Sequence, residues 1–415
     1  MNRPDIVIVA GRRTPFARAG TALATRTARE MGAHAVAAVL DEVDGARDAI
    51  GALCFGTVVL DPRTPNAGRE IVFDTSLPAT VCAHTVSSYC ISGVRAATEI
   101  AALLAAGRAS AGIAAGADSL SNPPLLFRRP AARIFTAAAS ARTLPRRLGT
   151  LARLRPTHFL PEAPGVAEPS TGLTMGEHCE IMAKAWHISR AGQDAIALRS
   201  HQRAAVAWEE QRLAGEIAPL DGLTADNLVR PDTSAAKLAA LRPVFDRSPE
   251  GTITAGNSSP LTDGGAALLL ATRGAAARHG WPVLAVLRDW EYAAIAPAEG
   301  LLMAPAVAVP RLLRRHDLSL PDIDLVEIHE AFGAQVAANL AAWEKGWKEE
   351  AIGTPDPDRV NVNGSSIAVG HPFAATGGRI LTTLAREMVR RDARWGLASI
   401  CAAGAMAAAV LLERA

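Results

Sequence analysis

The sequence predicts an α/β protein in which helices cover a mainly parallel sheet. Three observations lead to that reading. Short apolar runs of strand length alternate with stretches of helical spacing as far as Asp118. The same plan returns more weakly after Leu241. The composition, rich in Ala, with 34 Gly and only 4% aromatic residues, suits helices packed closely on sheets.

The elements follow in order. Ile6-Val7-Ile8-Val9-Ala10 reads as a strand buried on both faces. Thr27–Val43 has the spacing of a helix, and Ala52–Val59 that of a second strand. Gly93–Ala106 is a helix with Gly107 as its stop, and Ser110–Ala117 returns as a strand. From Asp118 to Glu162 the alternation breaks: eight arginines (Arg128, Arg129, Arg133, Arg142, Arg146, Arg147, Arg153, Arg155) occur with no acidic residue between those two ends. This stretch reads as an insertion, followed by a long helix, Arg190–Gly215. In the second half Val283–Leu287 is a strand, Val309–Arg315 a short helix with Pro310 in its first turn, and Asp324–Ile328 a strand. Ala375–Arg390 is a helix, and Leu397–Leu412 reads as two strands around a turn at Gly404, favoured over one buried Ala-rich helix because Gly404 breaks the helical pattern.

The overall balance excludes several classes. Lys plus Arg is 43 against 41 for Asp plus Glu, which argues against a dedicated nucleic-acid binder. With 49% apolar residues in 415, a large core is expected. Five cysteines without a CxxC do not form a disulfide framework. No apolar run is long enough to span a bilayer, and the N-terminus enters a strand pattern without a signal-peptide core, so a cytoplasmic protein is expected. Neither a GxGxxG nor a GxxxxGK[ST] loop is present, which weighs against a Rossmann dehydrogenase or a nucleotide hydrolase. Cys82-Ala83-His84 and His178-Cys179 lack a second cluster at ligand spacing, so no metal is expected.

Four residues stand where chemistry is plausible. Cys90, in Ser87-Ser88-Tyr89-Cys90-Ile91-Ser92-Gly93, precedes a helix whose N-terminal dipole favours a thiolate; an inert buried cysteine is the alternative. His371 follows a glycine-containing loop and precedes Pro372, which fits the first turn of a helix. It is either a base for Cys90 or a turn histidine. Cys401 is either a second thiol able to move a proton or a core residue. His329, in His329-Glu330-Ala331-Phe332, sits beyond the carboxyl end of a strand, where α/β sheets place their sites; on position alone the end of a surface loop is the favoured alternative.

Taken in order, these motifs resemble the thiolases, the acyl-CoA C-acyltransferases, over nearly the whole chain. The segments are Val9–Phe16, the Cys90 loop, Gly116–Asn122, Thr174–Glu177, Arg199–His201, Thr252–Asp263, His329–Phe332, Asn361–Arg379 and the Cys401 turn. His329, where most thiolases carry Asn, and the basic insertion ending in Ala167–Gly172 resemble the β-subunit of the fatty-acid oxidation trifunctional complex.

The resemblance implies two similar αβαβα halves in five layers with an inserted loop domain: 1–118 and 243–274 as the N-terminal half, 119–242 as the insertion, 275–415 as the C-terminal half. It implies CoA-dependent cleavage of 3-ketoacyl-CoA to acetyl-CoA and a shortened acyl-CoA. Cys90 is then the nucleophile, His371 its base and Cys401 the acid that protonates the acetyl-CoA carbanion. His329 and His371 meet the thioester oxygen, and the N–H groups of Cys90 and Ala403 meet the tetrahedral oxyanion. Met175, Arg230, Phe245, Ala255, Ser259, Ala331 and Phe332 line the CoA path. CoA is a co-substrate and no other cofactor is implied. A homodimer or dimer of dimers and a hydratase/dehydrogenase partner are implied in the same way. The insertion Arg128–Arg155 is open to CoA phosphates, that partner or an anionic membrane surface. Biosynthetic condensation of acetyl-CoA, or a weakly catalytic acyl-CoA or lipid carrier, would use the same fold. One departure is Ala405, which stands where relatives carry Gly; a positive φ there would strain it.

Overall fold

The computed structural model describes residues 4–162, 165 and 167–415. Met1–Arg3, where the N-terminal reading begins, lie outside the described residues. The first half contributes β1 (Ile6–Arg13), α1 (Ala28–Glu42), β2 (Ile50–Gly56), α2 (Ala67–Asp74), β3 (Cys82–Val86), α3 (Ser92–Ala105) and β4 (Ala111–Asp118). An excursion follows, with α4 (Arg129–Ala139), α5 (Leu144–Leu151), α6 (Met175–Ala185) and α7 (Arg190–Glu209). The chain returns as β5 (Thr262–Thr272) and β6 (Ala285–Ala294). The second half then adds α8 (Pro305–Arg314), β7 (Leu325–Ile328), α9 (Gly333–Lys345), α10 (Ala375–Arg391), β8 (Trp395–Ala402) and β9 (Met406–Glu413).

The strands form one sheet in the order β7-β8-β9-β6-β1-β5-β4-β2-β3. The two halves mirror each other across the β6–β1 junction. The sheet folds around α3 and α10: α10 packs against β1, β5 and β4 on one side and β7 and β8 on the other. α1 and α2 cover the outer face of the first half, and α8 and α9 that of the second. The result is five layers.

Strand periodicity explains why each half is buried on two sides. In β1, Val7 and Val9 pack under α1 while Ile6 and Ile8 face the central helices. In β9, Ala408, Val410 and Leu412 face the central helices while Ala407, Ala409 and Leu411 face α8. Each strand therefore reads as a continuous apolar run rather than an alternating one.

The sheet corrects one expectation: it is mixed, not mainly parallel. β2–β3, β2–β4 and β7–β8 are parallel, whereas β1–β5, β1–β6, β4–β5, β6–β9 and β8–β9 are antiparallel. Parallel pairing arises where a helix carries the chain back to the starting edge. The excursion before β5 and the tight turn at Gly404 both return the chain in the opposite sense. The pairing of β8 and β9 around that turn is as expected.

Helix starts also differ. α8 begins at Pro305, so Pro310 lies inside it rather than in its first turn. The lost backbone hydrogen bond is offset by burial of Val307, Val309, Leu312 and Leu313. α7 matches its predicted start, with the Ser189 hydroxyl accepting from the Gly192 N–H, but ends at Glu209. α4 and α5 pack against each other, with Phe127, Phe135 and Phe159 in edge contact at centroid distances of 5.0 and 6.3 Å. No helix among the described residues is long and apolar enough to cross a membrane.

Candidate active site

The Cys90 loop and the His371 loop meet because the helices they precede start almost in contact. A Cβ on Gly93 would lie 2.4 Å from the Ala374 carbonyl, and one on Gly377 would lie 2.5 Å from the Val94 nitrogen. Only glycine permits that approach of α3 to α10. The buried Asp118 carboxylate at the end of β4 then ties both sides together. It accepts from the N–H groups of Val58 and Val59, the Thr57 hydroxyl and, at 2.8 Å, the Ala374 N–H.

Within that frame His371 Nε2 lies 3.2 Å from Cys90 Sγ. Tyr89 adopts a left-handed conformation, φ 50°, which turns the chain sharply just before the cysteine. His371 Nδ1 is 2.6 Å from the Thr376 hydroxyl. An Nδ1–H donated to that hydroxyl leaves the Nε2 lone pair facing the thiol. Pro372 is not in the first turn of α10, which begins at Ala375; instead its carbonyl accepts from the Ala375 N–H at 2.7 Å.

The protein around the thiol pushes Cys90 up to about 12, chiefly by burial. The backbone N–H groups of Ala403 and of Cys90 itself oppose that rise by favouring the thiolate. Burial, and then the Arg379 charge, lowers His371 to about 3. The resting pair is therefore a neutral thiol against a neutral imidazole.

His329 lies beside His371, with ring centroids 4.1 Å apart. Its Nδ1 is 2.7 Å from the Ser366 hydroxyl, and its N–H donates to the Ser399 carbonyl. The ring is fully buried, and among the described residues Nε2 has no partner. Burial, His371 and Arg379 hold its pKa well below the ordinary histidine value. Arg379 is itself buried, donating to the Ser365 and Ser366 hydroxyls and paired with Glu327 at 3.4 Å.

Cys401, the next-to-last residue of β8, is buried, and burial lifts its thiol well above the ordinary range. A thiolate formed on the neighbouring Cys90 would push the same way. Two residues on, Ala403 turns its N–H to the Cys90 sulfur, so both sulfurs border one turn. Ala405 in that turn has φ 56°, and the strain expected from its sequence position is present. Its carbonyl accepts from the Ile295 N–H at 3.0 Å.

The residues expected along CoA divide into two groups. Phe245 and Phe332 pack edge to face at 6.1 Å, and Met175 and Phe245 pack against the same apolar cluster as Ala331 and Phe332. The Ser259 N–H donates to the Ala331 carbonyl, three residues before Thr262, whose hydroxyl accepts from the His371 N–H. These residues form one wall leading toward His371. Ala255 is exposed near that wall. Arg230 is exposed, and its N–H donates to His201 Nδ1.

Sequence reading missed Glu168, Thr376, Ser366, Asp118 and Arg379. Thr376 and Arg379 had a signal, since they share the glycine-containing loop and helix start that follow His371. Glu168 had none: its carboxylate reaches Gly404 from another part of the chain. Neither Cys82-Ala83-His84 nor His178-Cys179 forms a possible cation-binding cluster. Among the described residues that property belongs to Cys90, His329 and His371.

Comparison with known proteins gives the same picture. The thiolase N-terminal domain model matches residues 6–274 and the thiolase C-terminal domain model residues 281–414. A 3-ketoacyl-CoA thiolase of Klebsiella pneumoniae is 44% identical, covering 98% of this chain and 96% of that protein. One from Colwellia psychrerythraea is 42% identical, covering 98% and 97%. Among solved structures, an acetyl-CoA acetyltransferase of Bacillus anthracis superposes with TM-score 0.86 at 29% identity, covering 99% of both chains. A thiolase of Ascaris suum in complex with coenzyme A superposes with TM-score 0.85 at 26% identity, covering 99% of this chain and 100% of that one. Two mirrored halves around a paired thiol and imidazole, matched by both domain models, place this chain in the thiolase family.

Proposed function

We propose that this protein cleaves 3-ketoacyl-CoA with CoA, releasing acetyl-CoA and an acyl-CoA shortened by two carbons. The observation that carries the reading is the 3.2 Å approach of His371 Nε2 to Cys90 Sγ, with the Ala403 N–H aimed at the same sulfur. An isolated thiol this far above neutral pH is a poor nucleophile. An adjacent neutral imidazole removes its proton as the sulfur attacks.

The steps follow from positions. Cys90 Sγ attacks the 3-keto carbon, and its proton passes to His371. The tetrahedral oxyanion is met by the backbone N–H groups of Cys90 and Ala403. The bond between carbons 2 and 3 breaks, leaving an acyl thioester on Cys90 and an acetyl-CoA enolate. His329 and His371 meet the enolate oxygen, and Cys401 protonates its carbon. CoA then attacks the acyl-Cys90 thioester, its thiol proton restoring Cys401, while the Cys90 sulfur leaves and takes back the proton held by His371. CoA approaches along the wall formed by Met175, Phe245, Ser259, Ala331 and Phe332, with Arg230 and Ala255 at its outer end.

The segment 119–242 supplies Met175 of that wall and Arg230 at its outer end, and is assigned to substrate binding. Its arginine-rich pair α4 and α5 exposes Leu144 and Leu148 beside eight arginines and no carboxylate. That chemistry suits an acidic face of a hydratase/dehydrogenase partner, as in the trifunctional β-subunit type. Assembly as a homodimer is part of the same reading; β3 lies at the edge of the sheet, where a strand of another chain can be added.

Mass spectrometry after incubation with an acyl-CoA tests the nucleophile. An acyl adduct on Cys90, lost in Cys90→Ser, is expected. An adduct on Cys82, or none, overturns the assignment.

A further inference from the structure

We propose that Cys90, His329 and His371 together form a binding site for a thiophilic divalent cation, best matched by Zn²⁺, which competes with acyl groups for the cysteine. One ligating atom from each of the three lies within 4.8 Å of the others. Two ligands of a tetrahedral zinc with bonds of about 2.0–2.3 Å stand ~3.5 Å apart. The sulfur and His371 Nε2, at 3.2 Å, already have nearly that spacing. Bringing the longest separation to ~3.5 Å asks for at most about 1.3 Å of side-chain movement.

His329 supplies the second, independent observation. Its ring is fully buried, and Nε2 has no partner among the described residues. With its proton on Nδ1 and donated to the Ser366 hydroxyl, Nε2 presents a buried lone pair whose desolvation penalty a cation removes; with the proton on Nε2 the same nitrogen is the donor that meets the enolate oxygen. The other nitrogen of each imidazole is already engaged, His329 Nδ1 with Ser366 and His371 Nδ1 with Thr376. Hydroxyl partners of this kind hold a ring in the orientation that presents the remaining nitrogen to a metal.

The donor set decides the cation. One sulfur and two imidazoles, with no carboxylate, select zinc over magnesium or calcium. Three protein ligands leave a fourth position for water or chloride. Binding exchanges the Cys90 S–H proton, released to solvent, for a sulfur–metal bond, and nothing is oxidised or reduced. An acyl group on Cys90 occupies the same sulfur lone pair, so acylated protein does not take the metal. That binding silences acyl transfer rests on the proposed function; the binding itself does not.

The test uses the full chain without a histidine tag. Co²⁺ is titrated in as a spectroscopic probe, and Zn²⁺ is then titrated against a chromogenic chelator. The expected result is one cation per chain, with a thiolate-to-cobalt charge-transfer band and tetrahedral visible bands. His329→Asn keeps a polar side chain and is expected to weaken affinity by at least ~10-fold. Cys90→Ser removes the charge-transfer band, Cys82→Ser leaves the binding unchanged, and wild-type protein pre-acylated on Cys90 binds no cobalt. Absence of the band in wild type, equal affinity in His329→Asn, or loss of binding in Cys82→Ser overturns the proposal. Cation binding in a protein without ketoacyl-CoA turnover would instead sink the acyl-transfer reading and leave this site standing.

Discussion

The Glu168 carboxylate accepts a hydrogen bond from the Gly404 N–H at 2.8 Å, joining positions 236 residues apart in sequence. Glu168 is buried, and it grips the turn in which Ala403 turns its own N–H to Cys90. A residue of the excursion thus fixes one donor of the expected oxyanion pocket.

Glu168→Ala frees the turn and is expected to lower kcat toward the ~10²–10³ loss seen when an oxyanion donor is removed. Glu168→Gln keeps an oxygen that accepts from Gly404 and restores most of the rate. Because the Glu168 charge also raises the Cys90 thiol, the Gln variant shifts thiol alkylation to lower pH. Equal kcat in the two variants, measured with 3-ketoacyl-CoA, would show that the hydrogen bond does not position the turn.

Ala405→Gly relieves the left-handed strain at φ 56°. Holding alanine there costs about 1–2 kcal/mol, and glycine returns roughly 0.5–1 kcal/mol of that through a freer unfolded chain. A small net gain in unfolding free energy is expected in urea. A lower midpoint with an unchanged slope would contradict it.

Cys401→Ala separates the two half-reactions. The acyl adduct on Cys90 still forms from acyl-CoA, while carbon–carbon cleavage falls by ~10²–10⁴, the usual contribution of a positioned acid. Unchanged loss of the ketoacyl-CoA absorbance would refute the acid role of Cys401.

The pH profile carries a sign. Burial lowers His371 to about 3, so its imidazole stays neutral from neutral pH down through the ordinary histidine range, as the proposed base must. The expected kcat/KM shows no acid limb near pH ~6.5, the unperturbed histidine value. A limb there, absent in a control with a pre-formed acyl-enzyme, would mean that His371 is solvated and charged in the free protein.

Much of the fold was legible because the strands are buried on both faces. Ile6–Ala10 and the two runs around Gly404 are continuous apolar stretches, bounded by glycine or polar residues, and they became β1, β8 and β9. The sense of pairing was not legible, since periodicity reports which faces are buried and not which way a neighbour runs. Pro310 shows the same limit: a proline that fits a first turn was carried inside α8 because the apolar face around it is held by the sheet.

The chain's own order of residues determined the alternating elements, the cysteine ahead of one helix, the histidine ahead of another, and the alanine at a turn that calls for glycine. Only folding decided that the sulfur and the imidazole lie 3.2 Å apart, that His329 keeps a bare nitrogen beside them, and that Glu168 holds the Gly404 turn. The reason is physical. Local propensity and periodicity act over a few neighbouring residues, whereas these contacts depend on two helix ends closing across glycine and on a carboxylate finding a backbone donor hundreds of residues away.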